Sequence, residues 1–176
     1  PIIGSFFILF IKPTQKNSAS KYVALFISIS NFILSLYLWL LFNKDDSNFQ
    51  FVEDREWILG LINYKVGIDG ISILFVLLTT LIIPICILSI NSTIKYRLKD
   101  FLISILILES LMIGVFCSLD LVVFYLFFEG GLIPMFLIIG IWGGERRVYS
   151  AFKFFLYTLL GSVLMLVAII SIYWIS

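Results

Sequence analysis

Long runs of apolar residues, separated by short polar stretches, dominate the sequence. A helix needs about 20 apolar residues to cross a bilayer, and these runs are too long and too uniform for the alternating pattern of barrel strands. We therefore predict an all-α, polytopic transmembrane bundle that forms one membrane domain. The six predicted helices, of which the first is truncated, cover residues 1–11, 22–42, 71–90, 101–118, 119–142 and 151–175.

The two ends of the sequence and one long loop differ from this helical pattern. The first run has about half the length of a spanning helix, and it lacks the basic region and the cleavage site of a signal peptide. We expect it to be the end of a helix whose start is missing, and whether the chain is a fragment or a split gene product stays open. The loop from Asn43 to Lys65 contains an apolar segment, WILGLI, that we expect to lie along the membrane surface.

The composition is that of an integral membrane protein, because 61% of the residues are hydrophobic and 13% are charged. The basic residues cluster after the first, third and fifth predicted helices, so we expect these loops to face the cytoplasm or the mitochondrial matrix and to contact lipid headgroups. The net charge of +1 gives no reason to expect a nucleic-acid partner. The clustered basic residues are Lys12, Lys16, Lys21, Lys95, Arg97, Lys99, Arg146, Arg147 and Lys153.

Cysteine and histidine usage excludes most redox and metal chemistry within this chain. Both cysteines, Cys86 and Cys117, lie in apolar runs, and the sequence contains no histidine. A disulfide framework, a zinc site, an iron–sulfur cluster and a histidine-ligated haem therefore have no ligands here, and no glycine-rich nucleotide motif is present. We interpret both cysteines as packing residues and expect no metal or cofactor in this chain.

Glu129 is the first candidate functional residue. It follows Asp120 by nine residues, which places it about 13 Å into a hydrocarbon layer of roughly 30 Å. A charged side chain at that depth is costly, so an acid there is by default a functional hypothesis. Neighbouring glycines and Pro134 would let another backbone approach and free one carbonyl for water or a side chain, which suits a proton-relay site.

Glu109 is the second candidate. It lies ten residues before Leu119, whereas Glu129 lies ten residues after it, so an antiparallel pair of helices places both acids at the same depth. Both helices are apolar all round, which leaves open whether the two acids face each other or whether Glu109 faces another helix or subunit. If they face each other, one acid is neutral while the other is ionised.

Three further charged residues lie near predicted helix ends. Lys153 is the third candidate, either as a cation at the mouth of a polar path or as a side chain that extends to the membrane surface. The second interpretation is the simpler one for its position. We expect Asp69 and Asp120 to cap the starts of the third and fifth helices.

Three motifs carry a resemblance to a known family. They are GIDGIS, then SLDLVVFYLFFEGGLIPMFLIIGIWGG, then FKFFLYTLLGSVLMLVAI, and the likeness extends from about Gly67 to Ile170. Together they resemble the amino-terminal part of the subunit 4 family of NADH:ubiquinone oxidoreductase, respiratory complex I, called chain M in bacteria. That family is similar to the subunits of cation/proton antiporters, whose fold has inverted-topology helical repeats.

The resemblance implies a role for one acid and a set of partners. Glu129 matches the family's central proton-translocating glutamate, which pairs with a lysine on a broken seventh helix outside this sequence. The resemblance also implies contacts with the other membrane subunits of complex I, and flavin, iron–sulfur clusters and ubiquinone in partner subunits. The alternatives are a subunit of a cation/proton antiporter and a non-conducting membrane scaffold. A composition rich in Ile, Phe, Lys and Asn favours the mitochondrial inner membrane over a bacterial plasma membrane.

Overall fold

The computed structural model of the 176-residue chain describes residues 1–10, 18–46, 48–58, 62–90, 94 and 96–175. The helices and strands in these ranges are α1 (Ile2–Phe10), α2 (Ser18–Leu41), β1 (Gln50–Ile58), β2 (Ile62–Ile68), α3 (Ser72–Ser89), α4 (Leu98–Cys117), α5 (Leu121–Trp142) and α6 (Arg147–Ile175). Of these helices, α2 to α6 are long and apolar enough to cross a membrane. The predicted polytopic helical bundle is therefore confirmed.

The loop between α2 and α3 contains a β-hairpin, which the sequence analysis did not predict. Strands β1 and β2 pair antiparallel, with Asp54 opposite Lys65. Their side chains form an ion pair of 3.3 Å. The Leu119 backbone N–H donates to the Lys65 carbonyl at 3.0 Å, which joins the hairpin to the turn between α4 and α5. Of the segment expected to lie along the membrane surface, the first two residues belong to β1, and residues 59–61 lie outside the described ranges.

The predicted cap by Asp120 is confirmed, whereas the N-cap residue of α3 is Ile71 and Asp69, two positions before Ile71, binds the first residue of that helix. The Asp120 carboxylate accepts the backbone N–H groups of Val122 at 2.8 Å and Val123 at 3.1 Å. The Asp69 carboxylate accepts the N–H of Ser72 at 2.6 Å, while the Ser72 hydroxyl accepts the N–H of Asp69 at 2.8 Å. The hydrogen bond from the Ser72 backbone lowers the pKa of the Asp69 carboxyl below its ordinary value. These bonds satisfy backbone donors that the first helical turn leaves without partners.

The odd-numbered helices end at one side of the bundle, and basic side chains bind their last carbonyls. Lys99 donates to the carbonyl of Leu9 at the end of α1, and Lys21 donates to that of Leu88 at the end of α3. Arg147 binds the carbonyl of Ile141 at the end of α5. A cation at a helix C-terminus also interacts favourably with the helix dipole.

The structure therefore gives several basic residues a role within the bundle, in addition to the headgroup contact that the sequence predicts. Lys12, Lys16 and Lys95, which also entered the topology argument, lie outside the described residues. Which side of the membrane this basic end faces stays a prediction.

Helix α4 lies at the centre of the described bundle and packs against α1, α2, α3 and α5. The main apolar core forms around its first half and includes the fully buried Leu102 and Leu106 of α4, Ile87 of α3 and Ile8 of α1. Helix α6 packs against α5 and exposes most of its large apolar side chains. Such a surface suits lipid or a neighbouring membrane subunit.

Candidate functional site

Glu129 lies in the first half of α5, a helix of 22 residues. Its side chain is half-buried, and its Oε2 atom is buried without a hydrogen-bond partner among the described residues. Pro134, buried one turn later, has no N–H to donate to the Gly130 carbonyl. A carboxylate oxygen without a partner and a freed carbonyl therefore lie within one residue of each other along the chain, and each has capacity to bind water or a proton donor.

The two glycines after Glu129 differ in their surroundings. A Cβ atom on Gly130 would lie 3.3 Å from a methyl carbon of Leu111 on α4, so this glycine permits close packing of α4 against α5. A Cβ on Gly131 would meet no described atom within 4 Å. The expected close approach of another element is therefore observed at Gly130 and not at Gly131 within the described residues.

Gly131 borders an open apolar groove of about 820 Å³ between α3, α4, α5 and α6. Aromatic side chains form much of its wall, including Phe75 and Phe116, whose rings stack at 5.1 Å. Phe127 and Phe128, the residues just before Glu129, also line it. Glu129 is therefore next to a surface of low polarity, where an ionised carboxylate is expensive without a cation.

Glu109 is fully buried in α4, with 0% of its side chain exposed. Its Oε1 atom accepts a hydrogen bond of 2.7 Å from the side-chain amide of Asn31 on α2. Its Oε2 atom is buried and has no partner among the described residues. The structure thus links Glu109 to α2, and in the part of the chain that it describes no hydrogen bond joins the two glutamates.

Sequence reasoning missed the polar residues that α2 and α3 contribute at mid-depth. Besides Asn31, the hydroxyl groups of Ser35 on α2 and Thr80 on α3 share a buried hydrogen bond of 2.8 Å. The signal that could have found them is spacing, because positions 28, 31 and 35 lie on one face of a helix. Serine and asparagine carry no charge, however, so a search for charged residues inside apolar runs passes over them.

Lys153 lies near the start of α6 and is exposed. Its ammonium group lies 5.9 Å from the centroid of the Tyr149 ring, one turn earlier on the same helix. The small groove beside it is also lined by residues of α6 alone. The structure therefore does not bring Lys153 together with either glutamate, and its contacts favour the interpretation as a surface-reaching side chain.

No group of three or more His, Cys, Asp or Glu side chains able to hold a metal occurs among the described residues. Cys86 is exposed on α3, whereas Cys117 is half-buried in α4. Within the described bundle, Cys117 therefore packs against other residues, as predicted, whereas Cys86 lies on its surface.

Comparison with known proteins is consistent with this geometry. Residues 118–176 match the family model described as NADH:quinone oxidoreductase/Mrp antiporter, TM. NADH-quinone oxidoreductase subunit M of Rhodobacter capsulatus is 60% identical over 154 residues, which are 88% of this chain and 30% of that protein. NADH-ubiquinone oxidoreductase chain 4 of Marchantia polymorpha is 47% identical over 176 residues, which are 99% of this chain and 35% of that protein.

A solved structure agrees with the sequence matches. A chain of respiratory complex I from Thermus thermophilus with bound NADH superposes with a TM-score of 0.79 and 29% identity, over 97% of this chain and 33% of that chain. The present chain thus spans about a third of the length of the relatives it matches.

The fold and the intramembrane acids define a polytopic, antiporter-like membrane subunit. Within that class, the chain is similar over most of its length to NADH:quinone oxidoreductase subunit M, which is named chain 4 in the NADH-ubiquinone enzymes.

Proposed function

We propose that this chain is part of a proton-translocating membrane subunit of NADH:quinone oxidoreductase and that Glu129 carries the transported proton. The observation that supports this most directly is the Oε2 atom of Glu129, which is buried without a partner among the described residues in the first half of a helix long enough to span a membrane. Glu129 also lies inside the segment that matches the family model. Its location would be the mitochondrial inner membrane or the bacterial plasma membrane, since relatives of both kinds match.

The physical basis is the cost of charge in an apolar environment. A cation that comes close to a carboxyl group in such surroundings would favour release of its proton, and withdrawal of the cation would favour proton uptake. The resemblance to the family implies that a lysine on a later helix supplies this cation, and that helix lies outside the present sequence. The free carbonyl of Gly130 next to the acid would orient the water that passes the proton on.

The redox chemistry would belong to partner subunits. This chain offers no histidine and no cysteine pair for a cluster or haem, so flavin, iron–sulfur clusters and ubiquinone are proposed for the rest of the assembly. The other membrane subunits of complex I and lipid would cover the exposed apolar faces of the bundle.

Substitution of Glu129 tests this function. Glu129→Gln keeps the size of the side chain and removes the exchangeable proton, so we expect NADH oxidation in sealed vesicles to lose most of its coupled proton translocation. Proton uptake per NADH oxidised, normalised to the amount of assembled complex, is the measurement. Glu129→Asp is the matched control and should retain part of the activity. Unchanged pumping in the Glu129→Gln complex would refute the proposal and favour a non-conducting scaffold.

A cation/proton antiporter subunit is the second candidate, because the matching family model covers both groups of proteins. Purification separates the two. Flavin and iron–sulfur proteins that co-purify with the full-length chain indicate complex I, whereas a membrane complex without redox cofactors that exchanges cations for protons indicates the antiporter.

A further inference from the structure

Among the described residues, no side chain next to the fully buried Glu109 supplies a counter-ion. The helices that pack against α4 carry two charged residues along their lengths, Lys21 in the first turn of α2 and Glu129 in α5. On α4 itself the other charged side chains, Lys99 and Asp100, lie in its first turn. An ionised Glu109 would therefore be an uncompensated charge at mid-depth, and such groups in low-dielectric surroundings take up a proton instead.

The bond from Asn31 determines which oxygen carries that proton. The Asn31 amide donates to Oε1 at 2.7 Å, so Oε1 acts as an acceptor. The acid proton then belongs on Oε2, the oxygen that is buried without a partner among the described residues. A buried hydroxyl donor requires an acceptor, so this O–H must donate a hydrogen bond to a water molecule or to a polar side chain that comes within reach.

Polar side chains continue on both sides of Asn31 along the same face of α2. Ser28 is fully buried one turn before it, and Ser35 is buried one turn after it and shares a hydrogen bond with Thr80. Hydroxyl groups both donate and accept, so they can pass a proton as well as hold a water molecule. The carboxyl group of Glu109 is thus joined, through the bond from Asn31 to its Oε1, to a polar strip in an otherwise apolar bundle.

We propose that Glu109 is a second proton-binding carboxyl of this subunit, positioned by the amide of Asn31, and that the proton on its Oε2 exchanges during transport. The proposal rests on the proposed function above in assigning the chain to proton transport. The alternative is purely structural, in which the Asn31–Glu109 bond only holds α2 against α4.

A pair of substitutions separates these alternatives. Glu109→Gln keeps an Oε1 acceptor for Asn31 and replaces only the group that binds the proton, whereas Glu109→Leu removes both. If the proposal is correct, both variants lose a large part of the protons translocated per NADH oxidised, normalised to assembled complex in sealed vesicles. If Glu109→Gln pumps like the unmodified complex while Glu109→Leu is impaired, the bond is structural and the proposal is wrong.

Infrared spectroscopy gives a readout that does not depend on pumping. The redox-induced difference spectrum of the complex should contain a protonated-carboxyl C=O band that Glu109→Gln abolishes. Asn31→Leu removes the donor to Oε1, so the same band should move to higher frequency, because a carbonyl without a hydrogen bond is stiffer. Ser104→Ala is the matched control, since the buried Ser104 hydroxyl on α4 bonds to the Asp100 carbonyl of its own helix.

The two proposals fail in different ways. The absence of any Glu109 band in the difference spectrum would overturn the second proton site and leave the role of Glu129 intact. Normal pumping in Glu129→Gln would overturn the proposed function, while a Glu109 band that responds to Asn31→Leu would still identify a proton-binding carboxyl.

Discussion

At the scale of single residues, the same carboxyl chemistry serves different purposes in different surroundings. Asp69 and Asp120 lie at helix starts, where their carboxylates accept hydrogen bonds from backbone N–H groups. Glu109 and Glu129 lie at mid-depth, where one oxygen of each is buried without a partner among the described residues. Position along the helix therefore separates capping acids from candidate proton sites.

Asp69 offers a pH-dependent prediction. Its folded-state pKa lies below the ordinary value of 3.8, mainly because the Ser72 backbone N–H binds the charged form. Because its pKa is lowered, Asp69 stabilises the folded protein at pH values above its unfolded-state pKa. This stabilisation is lost as the pH falls through the folded-state pKa. Thermal unfolding in detergent should therefore show a drop in Tm at acidic pH that is smaller in Asp69→Asn, which keeps an acceptor but does not titrate. Equal acid sensitivity of both proteins would contradict this role.

At the scale of elements, close approach of α4 and α5 depends on glycine. A Cβ atom on Gly114 would lie 2.6 Å from the Phe127 ring, so the ring packs directly against the backbone of α4. This contact holds the helix that carries Glu109 against the helix that carries Glu129. It also explains why the short turn at residues 118–120 can join two tightly packed helices.

Gly114→Ala should destabilise the helix pair. The added methyl group must displace the Phe127 ring, and overpacking of this kind costs about 1–3 kcal/mol. The measurement is thermal or denaturant unfolding of the protein in detergent. Gly161→Ala is the matched control, because a Cβ there meets no described atom within 4 Å and alanine favours the helix. The prediction is contradicted if the two variants are equally stable.

At the scale of the whole molecule, the other charged side chains of the described residues lie near the ends of the helices or in the hairpin, away from Glu109 and Glu129. The basic side chains of Lys21, Lys99 and Arg147 bind carbonyls at one end of the bundle, and the charged hairpin packs on the turn between α4 and α5. Between these two polar ends, the described helices contain an apolar interior with two carboxyl groups. The cation that the proposed mechanism needs must therefore come from outside this bundle.

Lys153 tests that conclusion. Because it lies exposed on α6 and contacts Tyr149 of the same helix, Lys153→Gln should leave proton translocation per NADH within about twofold of the unmodified complex, as expected for an exposed charge worth about 0–1 kcal/mol. The vesicle assay used for Glu129→Gln applies here as well. A loss as large as that of Glu129→Gln would instead assign Lys153 to the proton path.

Part of the fold could be predicted because it depends on local properties. Length and hydropathy are properties of a segment by itself, so they located the spanning helices and placed both glutamates near mid-depth. The starts of α4 and α6 lie earlier than predicted, at Leu98 and Arg147, because charged residues continue a helix although they end an apolar run. The hairpin was missed because four consecutive charged residues, Glu53–Glu56, obscure any alternation.

The sequence by itself determined that this chain is a membrane bundle with two acids near the mid-depth of its helices, and its motifs indicated the family. Only the tertiary structure decided that Glu109 binds Asn31, a residue 78 positions away, and that Ser35 meets Thr80. The physical reason is rotational: helices that are apolar all round carry no periodic signal for which face meets a neighbour. Packing alone determines which polar side chains come together.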